Sequence, residues 1–277
     1  MDLTFTDAQK QRLKELMLEE EELILKFKSS EEREEVFKKI SYRLTTKNKE
    51  RLELLRSYKK RPDLRKIESK LVSLLTSIGF TEVVTPIILS RGLLERMNIH
   101  EGDHLWNQIF WIDRDHCLRP MLAPNLYFLL GHLGRLWPRP IRIFEIGPCF
   151  RKESKGARHL PEFTMLNLVE LSPEKDPEER LKELITKIMD ALEMEYELSY
   201  EDAECYGKTL DVHSRGIEIG SGVAGPHELD KNWGIYDPWA GIGFGIERII
   251  LAKEGFANIK KIGRSLIYLD CVRLDII

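Results

Sequence analysis

From Leu64 onward the apolar residues Leu64, Ile67, Leu71, Leu74, Leu75 and Ile78 recur every third or fourth position. That spacing gathers them on one side of a helix. Pro62 suits its first position and Gly79 its end. The pattern then changes. "FTEVVTPIILS" (80–90) is rich in β-branched residues and reads as extended. Pro86 within it lacks the N–H that a ladder needs, so it belongs at an edge, a bulge or an interface. "QIFWID" and "CLRPML" both read as strands, and Pro124 opens a helix with Leu126, Leu129, Leu130 and Leu133 on one side. A second amphipathic helix is predicted from Pro177 to Leu192. "TLDV" and "IEIGSGVA" form a hairpin across "HSRG", and "GIGFGIERIILAKEG" reads as a glycine-rich turn feeding a helix. Hairpins outnumber βαβ signals. The expected fold class is α+β, a mainly antiparallel sheet flanked by helices.

Residues 1–58 behave differently. They are helical in pattern but polar, with long runs of Glu and Lys. Thr6 with Gln9, and Ser29 with Glu32, have the spacing of capping boxes. This segment is read as a solvated N-terminal helical arm, ahead of one larger domain over 59–277. Lys59, Lys60, Arg61, Arg65 and Lys66 follow the arm and form a candidate RNA contact; the alternative is an ordinary solvated face.

Composition narrows the options. A chain of 277 residues, 42% hydrophobic, buries a sizeable core. The net charge of -3 supplies no global field for nucleic acid, so any RNA contact must use local basic patches. Cys117, Cys149, Cys205 and Cys271 show no CxxC spacing, which argues against a zinc site. No apolar run approaches the ~20 residues of a membrane span, and no apolar leader opens the chain, so a reducing, cytoplasmic setting is expected.

Three stretches carry chemistry. In "CFRKESKGARHLPEFTMLN" (149–167), residues two apart on a strand share a face, so Arg151 and Glu153 project together. A guanidinium forks onto phosphate, a carboxylate accepts from an exocyclic amine, and the returning Phe163 offers a ring to stack on a purine. The same residues also fit a surface ion pair beside a core phenylalanine. In "GIGFGIERIIL" (241–251), the third glycine comes too early for G-x-G-x-x-G, and no G-x-x-x-x-G-K-[ST] occurs anywhere, which excludes a P-loop. Arg248 there is either a second phosphate clamp or a surface arginine paired with Glu247. In "EIGSG" (218–222), Glu218 and Ser221 offer two oxygens to Mg²⁺, or are merely exposed strand residues.

Taken in order, these stretches resemble the three motifs of class II aminoacyl-tRNA synthetases. The helix with "VVTP" is similar to motif one, "FRKE…EFTML" to motif two and "GFGIER" to motif three. "LRPMLAPNLY", "IFEIGPCFRKES" and "EFTMLNL" further resemble the pyrrolysyl-tRNA synthetase family. The likeness runs from about residue 60 to the C-terminus, which makes 59–277 the synthetase-like catalytic domain. The arm resembles that of the short form, which lacks the fused RNA-binding domain.

The resemblance implies residue roles. Arg151 would hold the α-phosphate of ATP, Glu153 would meet the adenine amino group, and Phe163 would stack on the adenine. His159 and Leu160 would lie in the loop along the nucleotide, and Arg248 would hold the γ-phosphate. Glu218 and Ser221 match magnesium-linked positions. Ala123, Leu126, Tyr127, Leu130, Asn167, Val169, Tyr206, Val223 and Trp239 would form an amino-acid pocket suited to a bulky ring on a lysine stem. Within it, the Asn167 amide would bond the substrate's side-chain carbonyl, or else be satisfied by backbone. Tyr206 would act as a lid, though Tyr-Gly also suits a plain turn. Cys117 and Cys149 are expected to pack rather than react. The implied activity is ATP-dependent activation of pyrrolysine, or a similar lysine derivative, and transfer to its tRNA, with Mg²⁺ as cofactor. Pro86 at a sheet edge implies a homodimer, and basic stretches at Lys59–Lys66 and Lys260–Arg264, with the Lys155 loop, imply tRNA contacts. The alternatives are a class II synthetase for another amino acid and a non-catalytic tRNA-binding paralogue. The pocket residues argue, within the first, against small or acidic substrates, and the retained Arg151 and Arg248 argue against the second.

Overall fold

The computed structural model describes residues 3–18, 20–152, 159–203, 205–256 and 258–276. In chain order the helices and strands are α1 (Asp7–Glu15), α2 (Ser30–Leu54), α3 (Asp63–Ser77), β1 (Thr81–Glu82), β2 (Ile88–Ser90), α4 (Arg91–Arg96), α5 (His104–Asn107), β3 (His116–Leu118), α6 (Ala123–Leu133), β4 (Ile141–Phe150), β5 (Glu162–Leu171), α7 (Pro177–Leu192), β6 (Glu197–Ala203), β7 (Gly207–Ser214), β8 (Ile217–Gly225), β9 (Trp239–Gly245), α8 (Ile246–Glu254), β10 (Tyr268–Leu269) and β11 (Val272–Arg273). They group into two compact units, Met1–Asp63 with Lys260–Ile277, and Leu64–Ile259.

In the smaller unit, the Thr6 hydroxyl caps α1 and Gln9 returns the bond, completing the expected capping box. At α2 the Ser29 hydroxyl accepts from Glu32 N, but the Glu32 carboxylate reaches back one residue further, to Lys28 N at 2.7 Å. The arm is more than a solvated helix. Phe5, Leu13, Leu16, Leu18, Leu23, Phe27, Ile40 and Leu44 close a core of their own, with the Phe5 and Phe27 rings 4.8 Å apart. Each helix alone looks polar. The helices supply only Leu13, Ile40 and Leu44; Phe5 comes from before α1, and Leu16, Leu18, Leu23 and Phe27 from the connection between α1 and α2. The Asp270 carboxylate at the β10–β11 turn is nearly buried, 3.2 Å from Lys59 Nζ and 3.6 Å from Arg51 Nε. Lys59 is therefore already paired within its own unit.

The larger unit is built on a seven-stranded sheet in the order β1-β4-β5-β9-β8-β7-β6. Only β1 with β4 runs parallel; every other pair is antiparallel, as the hairpin signals predict. β4 and β5 pair over ten residues, from Ile141 opposite Leu171 to Phe150 opposite Glu162. β7 and β8 are joined through Arg215 and Gly216, whose φ of 49° and 69° suit a two-residue hairpin turn of matching twist. α7 is capped by the Asp176 carboxylate and buries Leu181, Leu184, Ile185, Ile188, Met189 and Leu192 against the sheet at β8 and β9. No helix among the described residues is long and apolar enough to cross a membrane.

Further sequence expectations change: of "CLRPML" only Cys117 and Leu118 lie in a strand, β3. "QIFWID" forms no strand: Trp111 makes a single bridge to Cys117. Its alternation is absorbed by packing, with Ile109 fully buried and the Trp111 ring 4.6 Å from Trp106. "GIGFG" is no turn. It is β9, near the centre of the sheet, with α8 starting directly after it.

A buried polar cluster fixes the segment around Pro86. Arg119 and Glu145 are 1% and 2% exposed and lie 2.7 Å apart. The Thr85 hydroxyl donates to Glu145 at 2.6 Å, and Asn125 Nδ2 donates to Thr85 Oγ1 at 2.7 Å and to Pro86 O at 3.0 Å. This cluster ties the loop between β1 and β2 to β4 and α6. Its outward residues stay apolar: Val84 is 91% exposed and Ile88 55%. Replacing Arg119 by Met leaves the Glu145 charge buried without its partner. The expected loss is about 3–5 kcal/mol in denaturant unfolding. Adding Glu145→Gln should recover a measurable part of it.

Candidate active site

A cavity of about 430 Å³ opens on one face of the sheet. Its floor follows from β9. Gly241, Gly243 and Gly245 sit two apart, so all three present a bare face to the same side. Their neighbours on β5 are Val169, Asn167 and Met165; those on β8 are Val223, opposite Gly241, and Ser221, opposite Gly243. All eight line the cavity. A side chain at Gly243 would sit 3.1 Å from the Met165 methyl and 3.5 Å from the Asn167 amide. The alternating glycines therefore leave the room that the cavity occupies.

Glu218 and Ser221 are three apart and would face opposite sides of a regular strand. The β7–β8 register prevents that. Asp211 pairs with Ser221 and Val212 with Gly220, but His213 pairs with Glu218, leaving Ile219 as an extra residue. This bulge returns Glu218 to the side of Ser221, and both line the cavity. The Ser221 hydroxyl donates to Asp211 at 2.7 Å.

The two arginines reach the same cavity from distant parts of the chain. Arg151 lies just past β4, where its N–H donates to Pro161 O at 3.1 Å and extends the β4–β5 pairing by one bond. Its Nε donates to Pro120 O at 2.9 Å, and its guanidinium carbon stands 5.5 Å from the Phe163 ring centre. That contact places a cation beside the aromatic face. Arg248 stands in the first turn of α8. Its Nη1 is 3.3 Å from the Glu218 carboxylate and also donates to the Glu218 carbonyl at 3.3 Å. Its observed partner is thus Glu218 rather than the neighbouring Glu247, since adjacent helical residues do not face each other. Glu247 is buried and accepts from Thr164 N at 2.9 and 2.8 Å.

His159, Leu160 and Phe163 also line the cavity, as do Ala123, Leu126, Tyr127, Tyr206 and Trp239. Leu130 is the exception: it is buried one turn behind, in the core cluster with Leu126 and Tyr127. Glu153 and Lys155 lie outside the described residues. The half-buried Asn167 amide has no hydrogen-bond partner among the described residues. Tyr206 stands edge-on to Trp239, 6.4 Å between ring centres, and 5.9 Å from His227. Burial pushes the Cys117 thiol up to about 11 and Cys149 up to about 12, so neither is a thiolate near neutrality, as packing residues should be. Sequence reasoning missed His104, Gln108, Met121 and Thr209 on the cavity wall. It also missed Asp230, whose buried carboxylate accepts from Tyr127 and Trp239 behind the wall. A period-two reading of "GIGFG" was the available signal for the floor.

Oxygen donors on a β-sheet, two arginines at a shared cavity and an aromatic beside one of them are the groups that holding a nucleotide without a P-loop would require. The family model for the class II core domain (F) of tRNA synthetases matches residues 53–270. The chain belongs to the class II aminoacyl-tRNA synthetases. Two solved structures refine this. The crystal structure of pyrrolysyl-tRNA synthetase from Desulfitobacterium hafniense matches at 47% identity and TM-score 0.92, covering 98% of each chain. A second structure from that organism matches at 46% and 0.89, covering 98% of this chain and 95% of the other. Within its class, the chain is a member of the pyrrolysyl-tRNA synthetase family. Curated relatives match more locally. A threonine–tRNA ligase of Natranaerobius thermophilus is 33% identical over 85 residues, which is 29% of this chain and 13% of that protein. One of Ralstonia nicotianae is 31% identical over 96 residues, 34% of this chain and 15% of that protein. The chain thus spans only a small part of the length of those ligases.

The floor yields a paired test. Gly243→Ala projects a methyl into the cavity against a flexible methionine end, so its unfolding free energy should stay within about 1 kcal/mol of the parent. At Gly220 the new methyl would fall 2.5 Å from the buried Phe244 ring and 2.9 Å from Gly243 O. Gly220→Ala should therefore destabilise by about 1–3 kcal/mol in the same denaturant titration.

Proposed function

We propose that the protein condenses a bulky lysine derivative, pyrrolysine in the first instance, with ATP and passes the acyl group to its tRNA. The observation that carries this reading is the convergence of Arg151 and Arg248 on one cavity whose far wall is aromatic and apolar. In this reading the amino-acid carboxylate oxygen attacks the α-phosphorus, the bond to the bridging oxygen breaks, and pyrophosphate leaves. A terminal ribose hydroxyl of tRNA then attacks the carbonyl of the adenylate and releases AMP. No side chain has to serve as nucleophile.

The chain's contribution is placement and charge. Arg151 faces the α-phosphate and Phe163 lies under the adenine. His159 and Leu160 border the nucleotide, with Glu153 at its amino group. Arg248 exchanges its Glu218 contact for the γ-phosphate. Aligning both reactants is worth about 7–11 kcal/mol of the barrier. Magnesium fits the donors present: Glu218 and Ser221 are hard oxygen ligands, and among the described residues no cluster of three or more His, Cys, Asp or Glu offers a full protein cage. That is the pattern of an ion held partly by substrate phosphates. When bound, it supplies charge neutralisation on the phosphate oxygens. On the other side of the glycine floor, Ala123, Leu126, Tyr127, Val169, Val223 and Trp239 enclose the side chain, with Leu130 behind them. Asn167 has no protein partner among the described residues and would take the substrate's carbonyl; left unpaired in a dry site an amide costs about 1–3 kcal/mol. Tyr206 closes over the ring.

A second copy would cover the exposed Val84, Ile87 and Ile88 beside Pro86, giving a homodimer in the cytoplasm. The basic stretches Lys59–Lys66 and Lys260–Arg264 would meet tRNA phosphates. Part of that charge is internally paired, Lys59 with Asp63 and Asp270 and Arg65 with Glu68. tRNA affinity should still fall steeply with salt, and salt-insensitive binding would refute phosphate contacts. For the chemistry itself, ATP–pyrophosphate exchange across a panel of amino acids should respond to bulky lysine derivatives and not to threonine. Arg151→Ala should lower that exchange by at least about 100-fold with an unchanged unfolding midpoint; near-normal exchange would remove Arg151 from the mechanism.

A further inference from the structure

Asp230 is 1% exposed, and among the described residues no lysine or arginine pairs with it. A carboxylate in that position is costly unless hydrogen bonds replace water. Three do. Tyr127 Oη donates to Oδ1 at 3.0 Å, Trp239 Nε1 donates to Oδ2 at 2.7 Å, and His227 N donates to Oδ2 at 2.5 Å. An indole and a peptide N–H can only donate, so Oδ2 must accept from both. Burial first, then the neighbouring Tyr206 and Asp230, raises Tyr127 above its ordinary phenol range, so its oxygen keeps its proton and donates to Oδ1.

The donors come from three segments: α6, β9 and His227, the N-cap of the short 3₁₀ turn Glu228–Trp233 that holds Asp230 itself. Capping that turn needs only the His227 contact. The other two bonds fix the planes of two cavity walls. The Tyr127 ring is stacked on Trp233, 5.4 Å and 25° between planes, and stands edge-on to Trp239, 5.7 Å and 81°. Trp239 lies against the backbone of β8 and β9. A methyl at Gly225 would fall 1.9 Å from its Nε1, and one at Gly241 would fall 3.1 Å from its far ring edge. The indole is thus seated in a glycine slot with its one polar atom aimed at Asp230.

We infer that Asp230 is a positioning residue of the amino-acid pocket, locking the Tyr127 and Trp239 rings at the spacing that admits a bulky ring-bearing side chain. It touches no substrate and acts through those two walls. This rests on the reading of the cavity as the site of amino-acid activation.

The test is ATP–pyrophosphate exchange by the full chain, with a ring-bearing Nε-acylated lysine and a slender acyl analogue as substrates. Asp230→Asn keeps the volume but turns one acceptor into a donor. It should raise KM for the ring-bearing substrate by about tenfold, the value of one mispaired buried group, and leave KM for ATP within about twofold. The preference for ring-bearing over slender substrate should narrow. Tyr127→Phe removes only the hydroxyl and should shift the same parameters in the same direction. The double variant should lose less than the product of the two single effects, because both break one bond. Unchanged amino-acid KM and selectivity in Asp230→Asn would overturn the proposal. So would equal rises in both KM values, which mark a merely structural residue. Should Asp230→Asn fail to fold, Tyr127→Phe decides alone, and an unchanged amino-acid KM there refutes the role. A parent protein that exchanges with no lysine derivative would sink the functional reading, a different result from an active parent with an indifferent variant.

Discussion

β9 lies near the middle of the sheet and carries no side chain on one face at Gly241, Gly243 and Gly245. Glycine costs a strand backbone entropy and packing, so three of them at alternate positions are a destabilising choice for the scaffold alone. What they leave is space bounded by a rigid ladder on both sides. Asn167 and Val169 on β5, with Ser221 and Val223 on β8, project on either flank of that gap, at fixed strand spacing. The rest of the site depends on this constraint. Arginines can converge on a cavity only if the floor beneath it is bare.

The sheet also sets where charge goes. Arg151 leaves the end of β4 and Arg248 follows the end of β9, two strands separated only by β5. Both ends of the long sequence interval between them are thus brought to neighbouring strand termini. The bulge at Ile219 then turns Glu218 to the cavity side beside Arg248. Behind the apolar wall, Asp230 satisfies the polar atoms of Tyr127 and Trp239, so those aromatics can be buried without orphaned donors. On the opposite flank, the Arg119–Glu145 pair holds the Pro86 loop, and the carbonyl after Arg119, that of Pro120, receives the Arg151 Nε. One polar cluster therefore supports both the exposed apolar loop and the cavity-lining Arg151.

Much of this was legible in residue patterns because local physics dominates there. α7 matches its predicted limits, since its apolar spacing, its Asp176 cap and its opening proline all agree. The β7–β8 hairpin was legible from its turn residues. β9 was misread because glycine signals a turn locally and only its alternation signals a strand. The bulge depends on cross-strand register, which no single segment contains. The arm's core was hidden because most of it comes from Phe5 and the α1–α2 connection rather than from a periodic helix face. For the site, the motif residues Arg151, Phe163, Glu218, Ser221 and Arg248 could be named from their strings. Leu130, assigned to the pocket by the resemblance, lies in the core cluster with Leu126 and Tyr127 rather than on the cavity wall, a depth that the sequence does not encode. Asp230 was invisible in "HELDKNW", where an aspartate reads as a turn residue and its partners are remote in sequence.

The account rests on one triphosphate bridging two arginines above a glycine floor. A crystal structure of the protein soaked with a non-hydrolysable ATP analogue and Mg²⁺ tests it most directly. The prediction is a bent nucleotide with its α-phosphate on Arg151, its γ-phosphate on Arg248 and its adenine against Phe163. Density for the analogue elsewhere, or an extended nucleotide touching only one of the two arginines, would contradict it.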